Sequence, residues 1–352
     1  MSIERTASRT LPSWELATTS RPAWRRHAGQ GILVLALALV VVTILSFGGR
    51  WAWLLDLLTF WRPHLLVTAL LLAGLAWIVR QHLGAGLALA VAAVNVAAIL
   101  VPAGHAALPS TAGPPVKVIT LNVLGDNRRG RSLIEFLRES DADVIALEEV
   151  SPYWDQQLAA LAEIYPYRIP AVGFRPNQTV LLSRLPILSA AVLDPPAAEF
   201  NTAWDRPLRA EIDVHGQPLV VYAVHPPTPR SLAQWTTRNA QLAWVADMAR
   251  ERDGNRPRIM LGDFNTPPWS FLFRDVNTTA ELRDAGGTLR QATRQPMLLP
   301  PHLAWLGAPV DHVLVSPDIG VAGFAVGPYV HSDHLPVIAD LVLPVPGTSP
   351  PP

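Results

Sequence analysis

"RIMLGDFNTPPWS", running from Arg258 to Ser270, is the stretch on which the fold turns. Its first half is an apolar, strand-like run, and its second half is a turn of Gly, Asn and Pro. At the junction stand two short polar side chains, Asp263 and Asn265. Asp and Asn bond their own backbone well, so turn chemistry alone explains them. A catalytic site at the end of a buried strand explains them too. Where the other polar residues fall separates the two.

Short apolar runs recur after Pro114: "VKVITLNV" (116–123), "DVIALEEV" (143–150), "QTVLLSRLPI" (178–187), "LRAEIDV" (208–214), "PLVVYAVH" (218–225), "RIMLGDF" (258–264), "DHVLVS" (311–316) and "LPVIADLVL" (335–343). Their length and Val/Ile content predict strands. Helical stretches lie between them. "SPYWDQQLAALAEI" opens with Ser151 at an N-cap and Pro152 at the first helical position. Leu232, Trp235, Asn239, Leu242 and Val245 recur near helical spacing. Many strands with a few intervening helices predict a layered α/β sandwich.

Polar groups gather at the ends of these strands. The first ends in Asn122, the second in Glu148 and Glu149, the fifth in His225, and the sixth in Asp263 and Asn265. The seventh begins with Asp311 and His312, and the eighth follows His331, Asp333 and His334. Carboxylates and amides are hard ligands suited to Mg2+ or Mn2+. A site with one or two protein carboxylates, completed by water and phosphate, is usual for Mg2+.

"TLNV", "DVIALEEV", "LLSRLPI", "HPPTP", "LGDFN", "VDHVLVS" and "SDHLPV" occur in the order seen in the endonuclease/exonuclease/phosphatase (DNase-I-like) superfamily, which the segment 116–343 therefore resembles. The resemblance implies an α+β four-layer α/β/β/α sandwich and Mg2+-dependent (or Mn2+-dependent) cleavage of phosphoesters. It implies that Glu149, Asn122 and Asp333 lie at the metal. It implies that Asp263 orients or deprotonates the attacking water and that Asn265 holds a phosphate oxygen. Asp311 and His334 match the Asp–His pair, and His225 matches a His that contacts the scissile phosphate. Glu148 stands where the superfamily usually has Gln; it adds negative charge near the metal or is an outward-facing neighbour.

Half of the residues are hydrophobic and 16% are charged, which is too apolar for a soluble enzyme of this length. The excess is confined to residues 31–101, where "GILVLALALVVVTILSF" (31–47), "HLLVTALLLAGLAWIV" (64–79) and "GAGLALAVAAVNVAAILV" (84–101) each approach the roughly 17–25 residues that cross a bilayer. Three transmembrane helices are predicted. A signal peptide accounts for the first run only, and a buried hairpin leaves little polar surface for water. Trp51, Trp53 and Trp61 suit a membrane–water interface. Arg5, Arg9, Arg21, Arg25 and Arg26 precede the first span and Arg80 lies between the second and third, against Arg50 and Arg62 between the first and second, so the positive-inside rule puts 1–30 in the cytoplasm and the domain after Val101 outside it. Pro-rich 102–115 reads as a linker and 344–352 as a disordered tail. Asn95, in the third span, is a functional polar group or a helix-packing contact.

Lys and Arg total 28, of which 8 precede residue 110, leaving 20; Asp and Glu total 28, of which 3 precede it, leaving 25. The C-terminal part is thus about −5 (20 − 25) and holds the only Lys, Lys117. Phosphate-backbone binding relies on basic residues, so nucleic acid is disfavoured as substrate. A membrane-tethered acidic domain points instead to a phosphorylated lipid or cell-envelope molecule. An extracellular nuclease and a non-catalytic binding module are the alternatives. No feature points to a protein partner. Arg128, Arg129 and Arg131 read as a solvated loop or a phosphate clamp, and Trp269 as lining the substrate mouth or covering the core.

Overall fold

The computed structural model describes residues 23–100, 113–169, 178–194, 206–287, 290–295, 303 and 306–345. Most of the expected linker and tail lies outside these residues. Helices α1 (Ala23–Leu45), α2 (Trp53–Leu57), α3 (Arg62–Ile78) and α4 (His82–Leu100) come first, with single turns of 3-10 helix at Ser46–Arg50 and Leu58–Trp61. Three stretches, Ala23–Arg50, Trp53–Ile78 and His82–Leu100, are long and apolar enough to cross a membrane. The first starts well before Gly31, because its first turns carry Arg25, Arg26 and His27 and so lie outside the uncharged run.

Small residues make the contacts between these helices. Ala36, Ala69, Ala73, Ala76, Ala85, Ala88 and Ala92 are buried, while Leu35, Leu71, Trp77 and Ile78 face outward. Small residues inside and large apolar ones outside is the packing pattern of helices whose solvent is lipid. Asn95 donates to Thr43 Oγ1 (3.1 Å) and Val91 O (2.9 Å), so it is a helix-packing contact.

The remaining elements are β1 (Pro115–Asn122), α5 (Gly130–Glu139), β2 (Val144–Val150), α6 (Pro152–Leu158), β3 (Tyr167–Ile169), β4 (Gln178–Ser183), β5 (Ile187–Val192), β6 (Leu208–Val214), β7 (Gln217–Val224), α7 (Leu232–Asp253), β8 (Arg258–Asp263), α8 (Phe271–Ala280), β9 (Arg283–Asp284), β10 (Asp311–Val315), β11 (Gly320–Val326) and β12 (Val337–Val342). They form two sheets, ordered β11-β12-β1-β2-β4-β3 and β5-β6-β7-β8-β10-β9. α5 and α6 cover the outer face of the first through Leu133, Leu137, Trp154 and Leu158. α7 and α8 cover the second through Leu242, Val245, Phe273 and Val276. The inner faces pack on each other through Val118, Ala146, Val221, Leu261, Val313 and Ala339. This is the expected α/β/β/α sandwich. Strands buried on both faces explain why several read as continuous apolar runs. α7 begins at an N-cap, Ser231, whose side chain accepts from the Gln234 N–H at 3.2 Å.

Candidate active site

The site lies where the inter-sheet core reaches one edge of the sandwich. β1 and β2 are parallel, and so are β7 and β8, so their C-terminal ends share that edge. β12 runs antiparallel to β1 and β10 antiparallel to β8, so their first residues arrive there too. Side chains alternate along a strand, so every second residue faces the same core. Val116 and Val118 are followed on this face by Thr120 and Asn122; Val144 and Ala146 by Glu148; Val221 and Ala223 by His225; Ile259 and Leu261 by Asp263. Read backwards, Val315 and Val313 lead to Asp311. One inward face is aliphatic inside the sandwich and polar at its mouth.

Three backbone devices aim the side chains. Gly262 has φ +142°, and a Cβ there would lie 1.9 Å from Val224 O, so only glycine lets β8 close on β7 beside Asp263. Asn265 has φ +50°, a left-handed conformation that Asn tolerates better than most residues. Its N–H donates to Asp263 Oδ1 (2.9 Å), which closes the turn, and its Nδ2 donates to Pro226 O (3.0 Å). Glu149 has φ +57° at an irregularity of pairing between Leu147 and Val150. A bulge re-aims side chains, and here it turns Glu149 toward the pocket that its neighbour Glu148 already faces.

The groups named from the sequence converge. Both oxygens of Asp311 lie by His334 Nδ1, at 3.0 and 2.9 Å. A carboxylate only accepts, so Nδ1 carries a proton. His334 Nε2 is 3.6 Å from Asp263 Oδ2. Asn122 Nδ2 donates to Glu149 Oε1 (3.0 Å) and Asp263 Oδ2 (3.3 Å), bridging the two carboxylates. Glu149 Oε2 accepts from the Gly125 N–H at 3.1 Å. His225 Nε2 lies 3.9 Å from Glu149 Oε1 and 3.8 Å from Asp263 Oδ2. Asp333 is half-buried, and its main-chain oxygen accepts from the Gln295 N–H. Glu148 is fully buried; Thr120 Oγ1 donates to its Oε1 (2.8 Å), and its Oε2 meets no donor.

Three site residues were missed in the sequence. Arg294 Nη1 donates to Asn265 Oδ1 at 3.2 Å. Arg238, wholly buried, donates from Nη1 to Asn265 O at 2.9 Å. Ser332 donates to Asn122 O (2.6 Å) and accepts from the His334 N–H (3.1 Å), tying the end of β1 to the imidazole. Ser332 was within a quoted motif; the two arginines carried no local signal. Arg128 bonds Gly125 O and stacks on Tyr153, so it braces the loop. Buried His312 hydrogen-bonds Thr266 O through Nε2 at 2.8 Å, as a structural residue.

A model of the Endonuclease/Exonuclease/phosphatase family matches residues 119–334, well over half of the chain. The chain belongs to this family. It is therefore a metal-dependent phosphoric ester hydrolase of the endonuclease/exonuclease/phosphatase superfamily. Similar solved structures have the same fold. They include the humanized D. rerio TDP2 (19% identity, 64% of this chain and 98% of that one, TM-score 0.53). The endonuclease/exonuclease/phosphatase from Beutenbergia cavernae DSM 12333 is 23% identical over 66% of this chain and 72% of that one, with TM-score 0.51. Sphingomyelinase C from Streptomyces griseocarneus is 18% identical over 64% and 99%, also with TM-score 0.51. No curated protein matches the chain.

The electrostatics suit a hydrolase of this family. Burial alone would depress the His334 pKa, but the Asp311 and Asp263 carboxylates outweigh it and raise the pKa to about 9. Burial pushes Asp263 up, with His334 and then His225 opposing and Asp311 adding to the rise. Burial acts to raise Glu149, yet His225 and the donors Asn122 and Gly125 hold it below its ordinary value. Burial also pushes Glu148 well above the carboxylate range, against His225 and Thr120.

The donor set fits a hard divalent cation. Asp263, Asp311 and His334 offer ligand atoms all within 4.8 Å of one another. Asp311 is committed to His334 Nδ1 through both oxygens, which leaves Glu149 the better-placed carboxylate. Glu149, Asp263 and Asp311 share one mouth with Glu148, whose burial favours its neutral form, and a cation would offset the charge of the ionised carboxylates there.

Proposed function

We propose that this chain is a membrane-anchored phosphoesterase that hydrolyses a phosphodiester or phosphomonoester of a lipid or cell-envelope molecule outside the cytoplasmic membrane. One observation carries it: acid, amide and imidazole groups from remote segments meet at a mouth beside which the apolar helical region is docked. Trp53 Nε1 donates to Pro229 O (2.8 Å), Trp269 Nε1 to Thr59 O (2.7 Å), and Arg238 pairs with Asp56 (2.5 Å). The helix ends nearest Arg25, Arg26 and Arg80 belong to the other side of the bundle, where Gln81 meets Gly29. The positive-inside rule then leaves the docked domain outside.

Asp263 takes the proton of the attacking water, a contribution typically worth ~10²–10⁴-fold. The Asn265 N–H holds Asp263 Oδ1, and Oδ2, which also accepts from Asn122 Nδ2 at 3.3 Å, takes the proton of the water. Asn265 Nδ2, through the hydrogen not given to Pro226 O, and His225 bind phosphoryl oxygens. Protonated His334, fixed by Asp311, donates to oxygen charge that grows in the transition state. Glu149, with Asn122 bonded to it at 3.0 Å, would hold the metal, and Asp333, whose charge acts on His334, would add a carboxylate at that edge. The chemistry that Mg2+ or Mn2+ would supply when bound there is polarisation of the phosphoryl group and stabilisation of its charge.

The test is Mg2+-stimulated hydrolysis by the full chain in detergent micelles, across lipid phosphates, nucleotides and nucleic acids. Asp263→Ala should lose several hundred-fold or more, on the scale of a lost general base. Activity confined to nucleic acid would establish the nuclease instead, and no Asp263-dependent release from any ester would leave a binding module. Cleavage of the domain by protease added to intact spheroplasts tests the orientation.

A further inference from the structure

A cavity of about 510 Å³ opens where the α2 segment meets the catalytic sandwich. Leu57, Phe60 and Trp61 line it from the helical region, and Leu306 from the domain. Arg230 and Arg294 line it as well. Arg294 is shared with the active site, because its guanidinium donates to Asn265 Oδ1 and its backbone bridges to His334. The inner wall of the cavity is thus the outer wall of the catalytic mouth.

Its position identifies an occupant. Trp61 and Trp51 are 57% and 78% exposed at this end of the helices, and tryptophans collect where hydrocarbon meets water. A ligand here would have its apolar part at the level of the bilayer surface and its anionic part among arginines, whose forked donors match phosphate. The volume falls within the range of pockets that enclose small ligands. A nucleic-acid strand calls instead for an extended basic groove with stacking aromatics, and the acidic domain lacks the charge for it. The walls are also held in place. Besides the Asp56–Arg238 pair and the Trp53 and Trp269 bonds, His64 Nε2 hydrogen-bonds Leu306 O at 3.0 Å across the junction.

We propose that this cavity is an access port for lipid phosphates: the hydrocarbon chain lies against Leu57, Phe60, Trp61 and Leu306, and Arg230 and Arg294 guide the phosphate to Asp263. It rests on the phosphoesterase function proposed above and adds that a membrane hydrocarbon chain is itself recognised. The membrane region then selects substrate as well as anchoring the enzyme.

The experiment compares a long-chain alkyl phosphate ester with a butyl ester of the same head group, using the full chain in mixed micelles with Mg2+. Wild type should prefer the long chain in kcat/KM. Phe60→Ala and Leu57→Ala should each lower that preference by about tenfold, the scale of one or two lost methylene contacts. A long-chain phosphate with a diazirine in its chain should label residues 57–61 and Leu306 of wild type on illumination. No chain preference, or labelling confined to other segments, overturns the port. If Asp263-dependent hydrolysis persists without chain preference, the port fails and the phosphoesterase stands. If hydrolysis is absent altogether, the phosphoesterase fails and the labelling alone decides the port.

Discussion

Replacing Asp56 by Ala tests how the helical region is joined to the catalytic mouth. Asp56 is remote from the chemistry in sequence and nearly fully buried. Its Oδ2 accepts from Arg238 Nη2 (2.5 Å) and Trp235 Nε1 (3.2 Å). Burial lowers the Arg238 pKa, and Asp56 is the charge that opposes this. In Asp56→Ala the guanidinium stays buried with Asn239 Oδ1 and Asn265 O as its acceptors among the described residues. Stranding one member of a buried ion pair costs about 3–5 kcal/mol. For a domain of this size each kcal/mol moves the midpoint by about 2–4 °C, so Tm should fall by roughly 10 °C. The assay is thermal unfolding of the full chain in micelles by near-ultraviolet circular dichroism. Hydrolysis should fall as well, since Arg238 holds the main chain of Asn265. Asp56→Leu combined with Arg238→Met removes both charges and should recover much of the stability, because apolar replacement of a buried pair is often neutral. A single variant that melts within about 1 °C of wild type, or a double variant less stable than the single, would refute this account.

In Asp311→Asn, His334 loses the first of the carboxylates that raise its pKa to about 9. The protonated imidazole is then lost at lower pH, so the alkaline fall in activity should move down by one unit or more; an unmoved limb shows that His334 does not act as an imidazolium. Asp253, buried with Arg209 (2.7 Å) and Tyr222 (2.6 Å), has its pKa held down by these donors despite burial. Its stabilisation is therefore present above the unfolded value of about 3.9 and lost as pH falls through the depressed folded value. Asp253→Ala should cost about 3 kcal/mol or more at pH 7 and flatten the acid limb of denaturant midpoints, whereas an unchanged limb excludes Asp253 as its source. Glu149→Gln should weaken Mg2+ activation at least tenfold in a metal titration while leaving Tm within a few degrees, and equal metal dependence in both proteins would place the metal elsewhere.

Much of the fold was legible in the chain because its signals are local. The length and Val/Ile content of short apolar runs marked strands, and uncharged runs of bilayer length marked the helices whose outer faces expose Leu71 and Ile78. Strand ends brought forward Asn122, Glu148, Glu149, His225, Asp263, Asp311 and His334 as polar groups, and the resemblance to the superfamily chose Glu149 over Glu148. Tertiary structure alone decided the rest. Trp269 proved to be a contact with Thr59 of the helical region, and Asp56 a partner for Arg238, because two remote segments meet only when sheet and helices are packed. The side of the sheet that Glu149 faces depended on its left-handed backbone, which composition does not encode. Arg294 joined the site through its bridges to Ala308 and His334, and the cavity beside it exists only because an apolar helical segment and a domain loop face each other. Periodicity is a property of neighbours along the chain, whereas a cavity and a buried charge pair are properties of distances that only strand register and packing determine.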